Sequence, residues 1–169
     1  STMEQAVKEY PEHTDAYTQL GIMLSEKAQR TQDYTEMFEI VHRAFMAWDK
    51  ALLLDPKNFT ARFHRGAWAV NMPKSVGQLN KGINDFEIIA QALEHTPDPS
   101  SKERLVEAYQ YLAGGYQKNA EYGKARQMYE KILTLVPETE YAAQARQSID
   151  KIDKFEKWQA ERAKNLPVD

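Results

Sequence analysis

The sequence predicts an all-α protein of about three helical hairpins, followed by a helix that caps the last of them. Apolar residues recur at intervals of three and four positions, most clearly from Lys102 to Val136, as on one face of a helix. No segment shows the sustained two-residue alternation of a strand, and glycine is sparse. Helix-ending prolines recur at intervals of 45, 41 and 40 residues, at Pro11, Pro56, Pro97 and Pro137. Such near-regular punctuation indicates stacked helical hairpins.

Length and composition are those of a folded domain. The chain has 169 residues, 42% of them hydrophobic and 28% charged, and a domain of this size can bury a sizeable core. Its apolar runs are too short for a transmembrane segment. A net charge of −3 without a basic stripe argues against nucleic acid as a partner. The absence of cysteine excludes disulfides, thiolate catalysis and cysteine-ligated zinc, and it leaves the localisation open between cytoplasm and bacterial periplasm.

The first predicted hairpin spans residues 14–57. Apolar and small residues mark its two helices, at Tyr17, Leu20, Gly21, Leu24, Ala44 and Trp48. Periodicity is weak around residues 27–34, between the two sets. This segment must either lengthen one or both helices or form an unusual loop.

The second predicted hairpin, residues 58–99, is more divergent. It has Gly66 in its first helix and a lengthened loop over residues 72–80 before its second. Gly77 and Gly82 form a G-x4-G pattern, but Lys and Ser/Thr do not follow it and no buried strand precedes it, as a phosphate loop requires. We therefore reject nucleotide binding at this pattern.

The third predicted hairpin, residues 100–139, has the clearest pattern. Asp98 and the residues after it are typical of a helix start, and residues 119–123 supply the turn. Apolar positions recur at helical spacing on both sides of that turn, at Leu105, Tyr109, Leu112, Tyr116, Ala125, Met128, Tyr129, Ile132 and Leu133.

Residues 106–139 resemble the tetratricopeptide repeat, a 34-residue helix pair with the pattern W-x2-L-G-x2-Y, then A-x3-F, then P. The matching positions, at the family's own offsets, are Tyr109, Leu112, Ala113, Tyr116, Ala125, Tyr129 and Pro137. Residues 14–97 match in part, with insertions at 27–34 and 72–80. The resemblance implies an α-α superhelix that serves protein–protein interaction, and it places Trp48 in a core packing position.

The resemblance also implies one helical-repeat domain over the whole chain. Residues 1–13, with Ala6 and Pro11, look like the tail of an upstream repeat, so we expect either a fragment of a larger protein or a preceding leader. Residues 140–166 carry an apolar stripe among charged positions, which is typical of a solvating cap. A dimerisation helix is the alternative, but the stripe fails beyond Trp158, so a cap and a monomer are favoured.

In this family the concave surface is lined chiefly by the first helix of each repeat. Carried over to this sequence, the peptide-binding groove comprises Thr18, Ile22, Phe63, Ala67, Val70, Gln110, Gly114 and Gln117. We expect Ile22, Phe63 and Val70 to be exposed for apolar contacts. The set lacks the Lys, Asn and Arg with which some members grip chaperone C-terminal carboxylates, so that activity is not expected.

Some residues are of types that could bind a metal, act in catalysis or be glycosylated, but structural roles explain them more simply. The four histidines form no i, i+4 pair, so we expect exposed or capping roles rather than a metal site. Carboxylates one turn apart, such as Asp150 and Asp153, fit the solvated face of an amphipathic helix. The triplet at residues 58–60 fits both a glycosylation pattern and a linker between repeats. No metal or other cofactor is predicted.

The sequence thus favours a non-catalytic scaffold that binds a protein or peptide. No catalytic triad, metal set or phosphate loop supports an enzyme within these residues. The alternative is an accessory or substrate-holding domain of a larger enzyme or transporter system, which the missing half of the upstream repeat motivates. The identity of the partner stays open.

Overall fold

The structure, a computed structural model, describes residues 2–96 and 98–164, and within them every regular element is a helix and no strand occurs. The α-helices are α1 (Met3–Glu9), α2 (Thr14–Arg30), α3 (Tyr34–Leu54), α4 (Phe59–Asn71), α5 (Leu79–Glu94), α6 (Pro99–Lys118), α7 (Tyr122–Leu135) and α8 (Glu140–Lys164). The all-α prediction is therefore confirmed. Pro97, one of the four predicted helix-ending prolines, lies outside the described residues.

The backbone packs as two compact units, Ser1–Asn71 and Met72–Asp169. The first unit holds α1 to α4 and the second holds α5 to α8. The boundary falls inside the second predicted hairpin, so the first and third predicted hairpins each lie within one unit. The prediction of a single domain over residues 1–169 stays a prediction.

In the first unit, α2 and α3 form an extensively packed antiparallel pair. They have 17 and 21 residues, and only residues 31–33 join them. The carboxylate of Asp33 accepts a hydrogen bond from the Glu36 N–H at 2.8 Å and so caps α3, while His13 caps α2. The additional residues around 27–34 therefore lengthen both helices instead of forming a long loop.

Trp48 on α3 occupies the core of the first unit and is 0% exposed. Phe45 makes a T-shaped contact with its indole at a centroid distance of 5.8 Å, and the imidazole of His64 on α4 stacks on it at 6.3 Å. Gly21 on α2 approaches the same ring. Residues of α2, α3 and α4 thus meet at this side chain, and its predicted core position is confirmed.

Asn58 fixes the start of α4 against α2. Its Oδ1 accepts a hydrogen bond from the Ala61 N–H and its Nδ2 donates one to Thr18 Oγ1, both at 2.9 Å. The residue is only 9% exposed. Because both ends of the amide are used within the protein, the structure supports the linker interpretation of residues 58–60 rather than a glycosylation site.

α1 packs on α2 without burying any side chain of its own. A capping box at Thr2 opens the helix. The Tyr17 hydroxyl lies 3.5 Å from the Val7 carbonyl oxygen, and Glu4 forms an ion pair with Arg43 on α3. These polar contacts hold the segment that was expected to be the tail of an upstream repeat.

In the second unit, α6 and α7 form the hairpin that the sequence indicates most clearly. The Asp98 carboxylate caps α6 by accepting a hydrogen bond from the Ser100 N–H at 3.3 Å. The chain reverses between the two helices through Ala120, which adopts a left-handed φ of 60°. Before α5, the predicted insertion contains a short 3-10 turn, Lys74–Val76, that ends at Gly77 with a φ of 77°.

α8 has 25 residues and packs along α7. The buried side chains of its predicted apolar stripe are Ala142, Ala145 and Ile152. Phe155 contacts Tyr122 at a centroid distance of 5.0 Å, and Trp158, which is 50% exposed, stacks on Phe155. Residues 165–166 of the predicted cap lie outside the described residues, and the choice between cap and dimerisation helix stays a prediction.

Candidate functional site

The residues predicted to line a groove in the first unit lie on α2 and α4, which contact each other. Ile22, Phe63 and Ala67 are half-buried, whereas Thr18 and Val70 are buried. Only the first three therefore keep a partly accessible side chain.

Thr18 and Val70 require a correction. Thr18 is 2% exposed because the start of α4 covers it, and its hydroxyl both donates to the Thr14 carbonyl at 3.1 Å and accepts from Asn58. Val70 is 3% exposed, so its side chain is not accessible to a ligand. The expectation that Val70 offers an exposed apolar contact is wrong, and Thr18 has a structural role at the junction of α2 and α4.

The predicted groove residues of the second unit, here called the α6 row, are Gln110, Gly114 and Gln117. They follow one another at spacings of four and three, so they share one face of α6. All three are half-buried. Gln117 Oε1 accepts a hydrogen bond from the Tyr129 hydroxyl of α7 at 2.8 Å, which fixes the orientation of its amide.

Gly114 has open space beside it. A Cβ atom placed there meets no heavy atom within 4 Å, and the residue does not have a positive φ. A glycine inside a helix costs about 0.5–1 kcal/mol relative to alanine. Packing against Trp48 explains Gly21, but neither packing nor backbone conformation requires Gly114. Because Gly114 has no side chain, the α6 backbone is accessible between the amide side chains of Gln110 and Gln117.

A cleft of about 670 Å³ in the second unit contains a carboxylate, a phenol and an ammonium group in mutual contact. The Tyr109 hydroxyl donates to Glu94 Oε1 at 2.5 Å, and Lys131 Nζ donates to the same oxygen at 2.6 Å. The ammonium also lies 5.0 Å from the Tyr109 ring centroid. We call this cluster the Glu94 triad.

The electrostatics of the Glu94 triad stabilise the carboxylate as an anion. The hydrogen bond from Lys131, and next the one from Tyr109, hold the pKa of Glu94 below its ordinary value. Burial, and next the bond to Glu94, raise the pKa of Tyr109. The triad therefore joins α5, α6 and α7 through hydrogen bonds to one carboxylate.

A related arrangement lies two helical turns away. The Tyr116 hydroxyl donates to Glu87 Oε1 at 2.5 Å, and Lys124 lies 5.2 Å from the Tyr116 ring centroid. Sequence reasoning missed both clusters because Tyr109 is 15 residues from Glu94, and only helix packing brings them together. One signal was available in the sequence: each of the three helices carries the same residue type twice at a spacing of seven. The pairs are Glu87 and Glu94, Tyr109 and Tyr116, and Lys124 and Lys131.

The histidines differ in their surroundings. His13 caps α2, while His42 and His95 are exposed, in accordance with the predicted roles. His64 is neither exposed nor a cap: it is half-buried on Trp48, and burial lowers its pKa, an effect that Glu26 partly opposes. Among the described residues, no three His, Asp or Glu side chains come close enough to hold a metal ion.

The paired carboxylates of α8 lie on its exposed face and each forms an ion pair. Asp150 bonds to Lys154 at 2.6 Å, and Asp153 pairs with Arg126 of α7. Such surface pairs contribute little to stability. None of the described helices is both long enough and apolar enough to cross a membrane.

No protein-family model matches this chain, and no curated protein matches it at a significant level. The resemblance to the tetratricopeptide repeat therefore rests on the residues and spacings already given.

Proposed function

We propose that this protein is a non-catalytic scaffold that binds a peptide segment of a partner protein along the α6 row. The observation that carries the proposal is Gly114, a helical glycine with open space at its Cβ position and no conformational need for glycine. Such a residue allows a ligand backbone to approach the helix more closely than any side chain would.

The neighbouring amides suit this ligand. Gln110 and Gln117 lie on the same face as Gly114, and amide side chains can both donate to and accept from a peptide backbone. The bond from Tyr129 holds Gln117 in one orientation before any ligand arrives, which reduces the entropy lost on binding. Ile22, Phe63 and Ala67 of the first unit stay candidate contacts on the strength of the repeat resemblance.

The α6 row contains no charged side chain and offers little apolar surface. We therefore expect dissociation constants in the micromolar range, with a weak dependence on salt concentration. A strong salt dependence would instead indicate a charged site elsewhere on the protein.

Peptide selection followed by titration tests the proposal. Peptides are selected from a random displayed library against the full chain, and their dissociation constants are then measured for two matched variants. Gly114→Leu should weaken binding about tenfold or more, which corresponds to at least about 1.4 kcal/mol. Gly123→Leu is the control, because Gly123 is also a helical glycine with nothing within 4 Å of its Cβ position. Failure to select any peptide, or equal affinities for both variants, would contradict the proposal.

A further inference from the structure

Tyr17 and Lys50 of the first unit repeat part of the Glu94 triad of the second. Tyr17 and Tyr109 hold the same place in their hairpins, and Lys50 and Lys131 each lie six positions after the small residue of the second helix. In each hairpin the lysine ammonium lies near the tyrosine ring, 6.0 Å from the centroid in the first and 5.0 Å in the second. The two pairs are therefore structurally equivalent.

The two sites differ in one group: only the site in the second unit contains a carboxylate that accepts from the lysine and the tyrosine. Glu94 accepts hydrogen bonds from both Lys131 and Tyr109 in the second unit. Within the described residues of the first unit, Lys50 forms no ion pair. The nearby helix α1 does carry Glu4, but that carboxylate pairs with Arg43.

A cleft of about 410 Å³ between α2 and α3 lies beside Lys50. Met46, which is 59% exposed, supplies apolar surface, and the buried Leu20 and Leu24 lie beneath it. Lys50 places positive charge at the cleft, on the same helix as Met46, while the charge of Arg43 is balanced by Glu4. Apolar surface beside a cationic edge suits a ligand that combines an aliphatic group with an anion.

We propose that this cleft binds an acidic peptide of a partner protein, with a glutamate or aspartate carboxylate held by Lys50 and Tyr17 and a neighbouring apolar side chain on the exposed Met46. The Glu94 triad provides the chemical precedent within the same chain. This surface differs from the α6 row, so the two proposals can fail independently.

The hydrogen-bonding capacity for such a carboxylate is present. A bond between an ammonium and a carboxylate is charge-assisted and roughly twice as strong as a neutral one. The Tyr17 hydroxyl now lies 3.5 Å from the Val7 carbonyl oxygen, at the outer limit of a hydrogen bond, so turning it toward a ligand sacrifices little.

A short peptide copied from this chain is the probe. With both ends capped, residues 88–96 contain Glu94 as their one carboxylate, next to apolar residues. The peptide is titrated into the isotope-labelled full chain, and amide shifts in nuclear magnetic resonance spectra report the affinity and the location. We expect shifts in α2 and α3 around Tyr17 and Lys50. Replacement of the peptide glutamate by glutamine should weaken binding roughly tenfold.

Matched protein variants locate the charge. Lys50→Met should weaken binding roughly tenfold while keeping the aliphatic stem, and Lys50→Arg should largely restore it. Lys131→Met, the same change in the second unit, and Gly114→Leu in the α6 row should leave it unchanged. The inference is overturned by equal affinity of Lys50→Met and wild type, by equal affinity of the glutamate and glutamine peptides, by shifts confined to the second unit, or by absence of binding at millimolar peptide.

Discussion

Gly21 and Trp48 fit together so closely that one methyl group would separate the helices carrying them. A Cβ atom on Gly21 would lie 2.3 Å from Trp48 Nε1 and 2.5 Å from Cδ1. The indole is fully buried and belongs to the middle of α3, so it has no adjacent solvent into which it could turn. This contact sets how closely α2 and α3 approach in the first unit.

Gly21→Ala should therefore lower the free energy of unfolding by about 1–3 kcal/mol, as overpacked cores do. The same substitution at Gly123, where the Cβ position is open, should raise it by up to about 1 kcal/mol because alanine is the better helix former. Chemical denaturation of both variants measures the two values. A neutral Gly21→Ala would show that the helices can move apart at little cost.

Asn58→Ala should destabilise the first unit by about 1–2 kcal/mol, because α4 loses its N-terminal cap and Thr18 loses a buried partner. Asn84→Ala, at an exposed position of α5, is the matched control and should change the free energy of unfolding by less than about 0.5 kcal/mol. Similar decreases in the free energy of unfolding for the two variants, measured by thermal or chemical denaturation, would argue against the capping role.

His64 should make the protein less stable at mildly acidic pH. Burial lowers its pKa below the ordinary value of 6.5, so the unfolded chain binds the proton more readily than the folded chain. Its contribution to stability is present above pH 6.5 and is lost as the pH falls through the folded pKa. Measured from about pH 7.5 to about pH 5, the free energy of unfolding should fall less steeply in His64→Phe than in wild type. An equally steep His64→Phe curve would refute the assignment.

Glu94 should make the protein less stable at more strongly acidic pH, below about 4.5. Its pKa lies below the ordinary value of 4.5, so its stabilising effect is present above pH 4.5 and is lost as the pH falls through the folded pKa. Glu94→Gln should therefore flatten the dependence of unfolding on pH below about 4.5, by a small amount because the site is partly solvated. Glu103→Gln, at an exposed position of α6, is the control. Identical acid curves for Glu94→Gln and wild type would mean that Lys131 and Tyr109 do not hold this carboxylate.

The core of the fold could be predicted because it depends on local spacing. The repeat pattern places a small residue at Gly21 and a large one at Trp48, and the two do meet. It also places the turn near residues 119–123, where Ala120 reverses the chain. These features follow from which residues share a helical face, and this can be read from the sequence.

The details of the surface could not be predicted because they depend on how neighbouring helices cover one another. Because periodicity is weak around residues 27–34, the sequence did not distinguish a loop from longer helices. In the structure both helices are longer, and the caps at their ends fix where they stop. Thr18 occupies a groove position in the repeat pattern, yet Asn58 of the next segment covers it. The Glu94 triad joins three helices, so no single-helix pattern contains it.

The most direct test of peptide binding at the α6 row is the dissociation constant of a selected peptide as the side chain at position 114 grows. Alanine has room there in the free protein, because no neighbouring heavy atom lies within 4 Å of the Cβ position, and alanine and leucine are both better helix formers than glycine. If the ligand backbone lies against α6 at Gly114, the affinity should fall from wild type to Gly114→Ala and again to Gly114→Leu, while the free energy of unfolding does not fall. An unchanged dissociation constant across the series would contradict peptide binding at this site.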